Sequence, residues 1–198
     1  MTDMREKIDA WKAHVREVSS NPDFVHHEWF VRWHLEIVER IAFELCEKYP
    51  DADRELVEVM VWLHDYGKAL DFDNQYTTTL TAGREKLNEL GFAPEFVERA
   101  ISNIETMDKK MELDLHEANI ETQIVSSADG CFHMVGPFLS LYWREHPELD
   151  IDGLIQANRA KLEKDWAYKI TLPEARKAFE ARHASLHEQF GDSPKSFL

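Results

Sequence analysis

Apolar residues recur at helical spacing along nearly the whole chain, and the strict alternation typical of β-strands is rare. This pattern predicts an all-α fold, with the helices forming one compact bundle. A polar stretch over residues 71–81 is the least regular part of the sequence and is predicted to contain a loop beside the site. The predicted helices cover approximately residues 4–18, 26–49, 54–65, 82–90, 94–107, 117–132, 138–145, 151–168 and 173–190.

Local signals refine several of these boundaries. Asp53 offers a carboxylate cap for the helix that follows it. Gly136 and Pro137 predict a break before the helix at 138–145. Gly67 is expected to loosen the backbone, and residues 193–196 are expected to form a loose tail.

Length and composition narrow the classes of function. The 198 residues predict one domain over 1–198. The net charge of −15 disfavours extended nucleic acid as a partner, because like charges repel within about 8–10 Å in salt. The chain lacks a run of about 18 apolar residues, so no membrane partner is expected. Two cysteines in apolar surroundings, and a first segment without an apolar stretch, predict a cytoplasmic protein.

The candidate chemistry centres on an adjacent histidine and aspartate. His64 and Asp65 end an apolar run, where titratable groups are costly to place unless they bind something. Imidazole and carboxylate both ligate divalent cations. His34 lies upstream on the apolar face of a predicted helix, and Asp129 lies downstream on another. The order His, His-Asp, Asp predicts a four-ligand metal site.

These residues and their order resemble the HD superfamily of metal-dependent phosphohydrolases, whose motif is a histidine, a His-Asp pair and a distant aspartate on an all-α fold. The resemblance assigns the metal ligands as His34, His64, Asp65 and Asp129. The motif-bearing core covers about residues 26–132. A helical C-terminal extension over about 138–190 carries no motif that we recognise.

The resemblance implies a metal-dependent hydrolase that cleaves a phosphate ester in a small phosphorylated substrate, such as a nucleotide, through metal-activated water. Dinuclear relatives carry further histidines between the His-Asp pair and the last aspartate, whereas here only His116 lies between His64 and Asp129. One divalent cation is therefore expected. The ligand types do not select among Zn²⁺, Mn²⁺, Fe²⁺, Co²⁺, Ni²⁺ and Mg²⁺.

Other charged residues are candidates for catalysis beside Asp65 itself. Lys68 is predicted to stabilise charge on a bound phosphate. Asp73 is predicted to orient water or to protonate the leaving oxygen, and Asp71 competes for that role. His133 shares a helix face with Asp129 and is a candidate for contacting the ligands or the substrate. Arg84, Lys86, Lys109 and Lys110 could reach a substrate phosphate, but solvated charge on helix surfaces explains them adequately.

Two other functions remain open at the level of sequence. A non-catalytic metal or ligand sensor would keep the ligands without productive acid–base groups. A metal-dependent oxygenase of the same superfamily would need a richer ligand set than this chain offers. The oligomeric state is not predicted.

Overall fold

A computed structural model describes residues 3–191, so the predicted loose tail at 193–196 lies outside the described part. The described residues contain helices and turns but no strand, which confirms the all-α fold. The helices are α1 (Met4–Ser19), α2 (Glu36–Cys46), α3 (Arg54–Leu63), α4 (Tyr66–Leu70), α5 (Gln75–Glu89), α6 (Pro94–Asp108), α7 (Ile120–Phe132), α8 (Phe138–Glu145), α9 (Ile151–Tyr168) and α10 (Pro173–Gln189).

Helix α3 forms the centre of the bundle. Every residue from Leu56 to Leu63 is buried, because α1, α2, α6 and α7 pack around it. The predicted cap is confirmed, since the Asp53 carboxylate accepts a hydrogen bond from the backbone N–H of Leu56 at 3.1 Å. The one charged side chain in this buried stretch, Glu58, is paired with Arg5 and Lys12.

The helix predicted over residues 26–49 is shorter and less regular than expected. Residues 26–29 form turns, a π-helical turn covers Val31–Leu35, and α2 ends at Cys46. The backbone N–H of Glu36 reaches back to the carbonyl of Val31, which is the wider π spacing. Apolar periodicity does not distinguish the π register from the α register over one turn.

The loop predicted within residues 71–81 is present but short. Only residues 71–74 are irregular, and α5 begins at Gln75. Gly67, expected to loosen the chain, instead lies within α4 at its contact with α5. A Cβ atom there would lie 2.1 Å from the Gln75 carbonyl oxygen, and the Gly67 N–H donates to Thr79 Oγ1 at 2.9 Å. This close packing stabilises the polar start of α5.

The C-terminal helices continue the same core. The predicted break is confirmed, because Gly136 has φ of 64° and α8 begins after Pro137. Helices α9 and α10 pack against α7 and bury Leu162, Ile170 and Leu172. Among the described helices, none combines the length and the apolar character needed to cross a membrane.

Candidate metal centre

Four helical segments bring the predicted ligands together. His34 lies in the π-helical turn, a local geometry that is frequent at functional sites. His64 caps the C-terminus of α3, and Asp65 lies between α3 and α4. Asp129 lies in α7, which packs on both α2 and α3. Residues far apart in sequence therefore meet because α3 is surrounded on all sides.

The ligand atoms converge on a small volume. His34 Nε2 and His64 Nε2 lie 3.1 Å apart, and Asp65 Oδ2 lies 3.3 Å from the first and 3.6 Å from the second. His34, His64 and Asp65 offer donor atoms that all lie within 4.8 Å of one another. Asp129 Oδ1 approaches the group from the other side, 3.7 Å from His64 Nε2.

The hydrogen bonding of His64 indicates what this arrangement requires. His64 Nδ1 lies 2.7 Å from the carbonyl oxygen of Val61, so Nδ1 carries a proton and donates it. In the neutral ring, Nε2 then directs a lone pair toward the carboxylates of Asp65 and Asp129. Lone pairs facing carboxylates repel unless a cation lies between them. This donor set therefore fits a divalent metal ion.

Protonation equilibria in the cluster are shifted in different directions. Burial lowers the pKa of His34 to about 4, which leaves its imidazole neutral at pH 7. Burial also opposes the charge on His64, but the carboxylates of Asp65 and Asp129 outweigh it and raise the pKa of His64. Burial alone would raise the pKa values of Asp65 and Asp129. The charge of Lys68 lowers the pKa of Asp65, and the charge of Lys169 lowers that of Asp129, so both values lie well below the usual range. Without a metal, the cluster therefore holds a neutral His34 beside two ionised carboxylates, whereas the raised pKa of His64 favours its protonated form.

The cluster opens into a cavity of about 540 Å³. Such a volume is typical of sites for small molecules. One part of the wall is aromatic, and it is formed by Trp29, Phe30, Phe72, Tyr76, Phe138 and Tyr142. Five lysines also line the cavity, namely Lys68, Lys110, Lys161, Lys164 and Lys169. Positive side chains thus gather around the candidate metal centre of an acidic protein.

Helix α9 and the residue after it contribute a charged network that sequence analysis missed. Asp165 is fully buried, and both of its carboxylate oxygens accept from Lys161 Nζ, at 2.9 and 2.7 Å. Asp165 Oδ2 also lies 2.8 Å from His133 Nδ1. Lys169 bonds Asp129 Oδ2, so Asp129 Oδ1 remains directed toward His64. The C-terminal extension thereby fixes the orientation of a predicted ligand.

His133 takes part in both halves of this network. Burial, reinforced by Lys161, lowers the pKa of His133 to about 4, so its ring is neutral at pH 7. Its Nδ1 lies 2.8 Å from Asp165 Oδ2 and 3.2 Å from Lys161 Nζ, and its Nε2 lies 3.9 Å from Asp129 Oδ1. Its placement agrees with the expected helix face shared with Asp129. The pattern Lys161, Asp165, Lys169, spaced four apart, was the available signal in the sequence for this network.

Asp108 is a second residue that sequence analysis missed. It ends α6, lines the same cavity, and its Oδ2 atom is buried without a hydrogen-bond partner among the described residues. Burial raises the pKa of Asp108 to about 6. A carboxyl that exchanges its proton near neutral pH is suited to general acid–base chemistry.

The three predicted polar residues after the His-Asp pair have different environments. Lys68 lines the cavity, and its Nζ lies 2.6 Å from Asp65 Oδ2. Asp73 is exposed in the short α4–α5 connection and is not among the described residues that line the cavity. Asp71, its competitor, is also exposed, and its carboxylate accepts from the backbone and side chain of Asn74. The fold thus gathers His34, His64, Asp65, Lys68 and Asp129, but not Asp73 or Asp71.

The structure is an all-α bundle in which a His/Asp cluster of the kind that can hold a metal ion lines a cavity. These features define a class of helical proteins with a candidate metal site. A family model described as the HD domain matches residues 32–134, just over half of the chain. The chain belongs to the HD domain family, as the motif predicted. A search of curated proteins and a search of solved structures found no match.

Proposed function

We propose that this protein is a metal-dependent phosphohydrolase that acts on a small phosphorylated molecule, such as a nucleotide. The observation that carries the proposal is the His/Asp cluster at the floor of a cavity that five lysines line. Membership of the HD domain family supports hydrolytic metal chemistry in general. A cytoplasmic location is part of the proposal and rests on the two buried free thiols, Cys46 and Cys131.

His34, His64, Asp65 and Asp129 are proposed to hold one divalent cation. When bound, the cation would supply Lewis acidity that polarises a phosphoryl oxygen and lowers the pKa of water. His34, whose pKa is lowered, offers a neutral imidazole, whereas His64, whose pKa is raised, would release a proton when it binds the cation. Lys169 holds one oxygen of Asp129 and leaves the other for the cation.

The lysines provide the basis for recognising phosphate. Lys68 lies beside Asp65 at the cluster, where its ammonium group is placed to balance the charge of a phosphate. The aromatic part of the wall offers faces on which the organic part of the substrate can stack. A cavity of this composition suits a molecule that joins a phosphate to an apolar or aromatic group.

Two carboxyls are candidates for the acid–base group, Asp73 and Asp108. Asp73 stays a prediction from the sequence, whereas Asp108 is the carboxyl placed in the cavity. Comparison of Asp73→Asn with Asp108→Asn separates them. Loss of turnover of roughly a hundredfold or more is expected from the variant that removes the general acid or base.

The central experiment measures phosphate release. Purified protein is incubated with Mn²⁺, Fe²⁺, Co²⁺, Ni²⁺, Zn²⁺ or Mg²⁺ and screened against phosphomonoesters, phosphodiesters and nucleotides. His64→Ala and Asp65→Asn are each expected to lower turnover by at least about a hundredfold, because each removes a proposed ligand. His116→Ala serves as the control, since His116 is exposed and its side chain makes no hydrogen bond among the described residues.

Two outcomes would contradict the proposal. One is the absence of phosphate release with every metal and substrate class. The other is release that persists unchanged in His64→Ala protein. Metal binding by the wild type without any turnover would favour the alternative of a metal or ligand sensor, and oxygen consumption with two bound irons would favour an oxygenase.

A further inference from the structure

The five lysines around the cavity differ in whether the protein itself balances their charge. Lys68 is paired with Asp65, and Lys169 is paired with Asp129. Lys161 binds both oxygens of Asp165. Each of these three side chains therefore has a carboxylate partner within the protein.

Lys110 and Lys164 have no such partner. Neither side chain makes a hydrogen bond or an ion pair with any residue in the described range 3–191. Lys110 follows the end of α6 and is partly buried, whereas Lys164 lies on α9 and is exposed. They approach the same cavity from two different elements.

The charge of Lys164 acts on Lys110. Burial is the largest cause that lowers the pKa of Lys110, and the charges of Lys169 and Lys164 lower it further. The carboxylates of Asp108 and Asp129 act in the opposite direction, but neither forms an ion pair with Lys110 among the described residues. Positive charges that repel one another at a cavity wall are stabilised when an anion binds between them.

We propose that Lys110 and Lys164 form an anion subsite that binds a second phosphate group of the substrate, separate from the phosphate at the His/Asp cluster. The preferred substrates are then molecules with two phosphate groups. This choice of substrate class rests on the proposed hydrolase function, whereas anion binding by the two lysines does not. Lys164 lies outside residues 32–134, so the subsite is a feature that the C-terminal extension adds to the family domain.

The experiment compares two inorganic probes, phosphate and pyrophosphate. Their binding to the full-length protein is measured by isothermal titration calorimetry, both as purified and after metal removal by dialysis. The variants are Lys110→Gln and Lys164→Gln, which keep most of the side-chain length but remove the charge. Lys177→Gln is the matched control, because Lys177 is exposed on α10 and does not line the cavity.

Wild-type protein is expected to bind pyrophosphate about tenfold more tightly than phosphate. Each of the two variants is expected to weaken pyrophosphate binding by about tenfold, the effect of one charge-assisted hydrogen bond. Lys177→Gln is expected to bind both probes as the wild type does. Unfolding curves that overlay the wild type establish that the two variants are folded, as expected for side chains without hydrogen bonds.

The subsite is refuted if Lys110→Gln and Lys164→Gln bind pyrophosphate as tightly as the wild type, or if the wild type does not distinguish the two probes. Its failure is distinguishable from failure of the hydrolase proposal. Because the subsite does not use His64, His64→Ala protein is expected to retain lysine-dependent pyrophosphate binding although it loses turnover. An inactive wild type that still shows this binding would leave the subsite supported and the hydrolase refuted.

Discussion

Replacement of Asp165 by asparagine is expected to destabilise the protein strongly, although Asp165 lies outside the segment that matches the family. The side chain is fully buried and accepts two hydrogen bonds from Lys161. It also lies 2.8 Å from His133 Nδ1 and 3.7 Å from Lys169 Nζ. The substitution leaves Lys161 without its carboxylate partner, whereas Lys169 keeps its ion pair with Asp129.

The magnitude follows from the burial of the partners. Removing one member of a buried ion pair costs about 3–5 kcal/mol, because the remaining charge stays desolvated. Here the Lys161 side chain is 28% exposed and regains part of its hydration, while asparagine keeps one acceptor oxygen. We therefore expect a loss of about 2–4 kcal/mol, a large fraction of the roughly 5–15 kcal/mol typical of a folded domain. For a chain of this size, the melting temperature should fall by roughly 4–16 °C.

Urea denaturation at pH 7.5 followed by circular dichroism measures this loss. The matched control is Asp152→Asn, which removes an exposed carboxylate from the first turn of the same helix and should change stability by less than about 0.5 kcal/mol. A double-mutant cycle with Lys161→Met should show coupling of about 1–3 kcal/mol. If Asp165→Asn destabilises no more than Asp152→Asn, the charged network does not stabilise the fold as argued.

Three further predictions concern stability elsewhere in the bundle. Gly67→Ala should cost at least about 3 kcal/mol in urea denaturation, because the new Cβ meets backbone atoms of α5 at 2.1 and 2.6 Å. The control Gly153→Ala should cost less than about 1 kcal/mol, because the nearest atom to its new Cβ is a side-chain oxygen at 3.1 Å. Equal losses of stability in the two variants would contradict the packing argument. Glu58→Gln should cost about 2–4 kcal/mol at pH 7, since Arg5 and Lys12 outweigh burial and lower the pKa of Glu58. That contribution to stability is present above the unfolded pKa of about 4.3 and declines as the pH falls below it. A loss of stability that does not depend on pH would refute the pairing of Glu58 with these two residues as its cause. Asp108→Asn should raise stability by about 1–3 kcal/mol above pH 6 in metal-free buffer. The reason is that the folded-state pKa of Asp108, about 6, makes the wild type lose stability as the pH rises from about 4 to 6. Unchanged or lower stability of the variant at pH 7.5 would contradict this.

The order of the candidate metal ligands was predictable because it is a property of the sequence. His64 and Asp65 are adjacent, and His34 and Asp129 lie on helical faces that periodicity alone assigns to the core. Their convergence needed only the packing of apolar helices around α3. The start of α5 was not predictable in the same way, because its first turns are polar and are stabilised by the close contact at Gly67.

The contribution of α9 could not be predicted for a different reason. Lys161, Asp165 and Lys169 repeat every four residues, a spacing that in most helices places charged groups on a solvated surface. The difference here is that Asp165 is buried against α7, and burial depends on how helices pack rather than on spacing. A buried aspartate between two lysines is distinguishable from an exposed one only in three dimensions.

The distribution of charge links the fold of the extension to the specificity of the site. If α9 served only to stabilise the bundle, each cavity lysine would be expected to have a carboxylate partner, as Lys161 and Lys169 have. Lys164, on the same helix and one turn from Lys161, has none within residues 3–191. Because Lys164 is exposed, water hydrates its ammonium group in the free protein, and the charge stays available to the proposed anion. Helix α9 therefore both orients a predicted ligand and supplies a charge that the fold itself does not use.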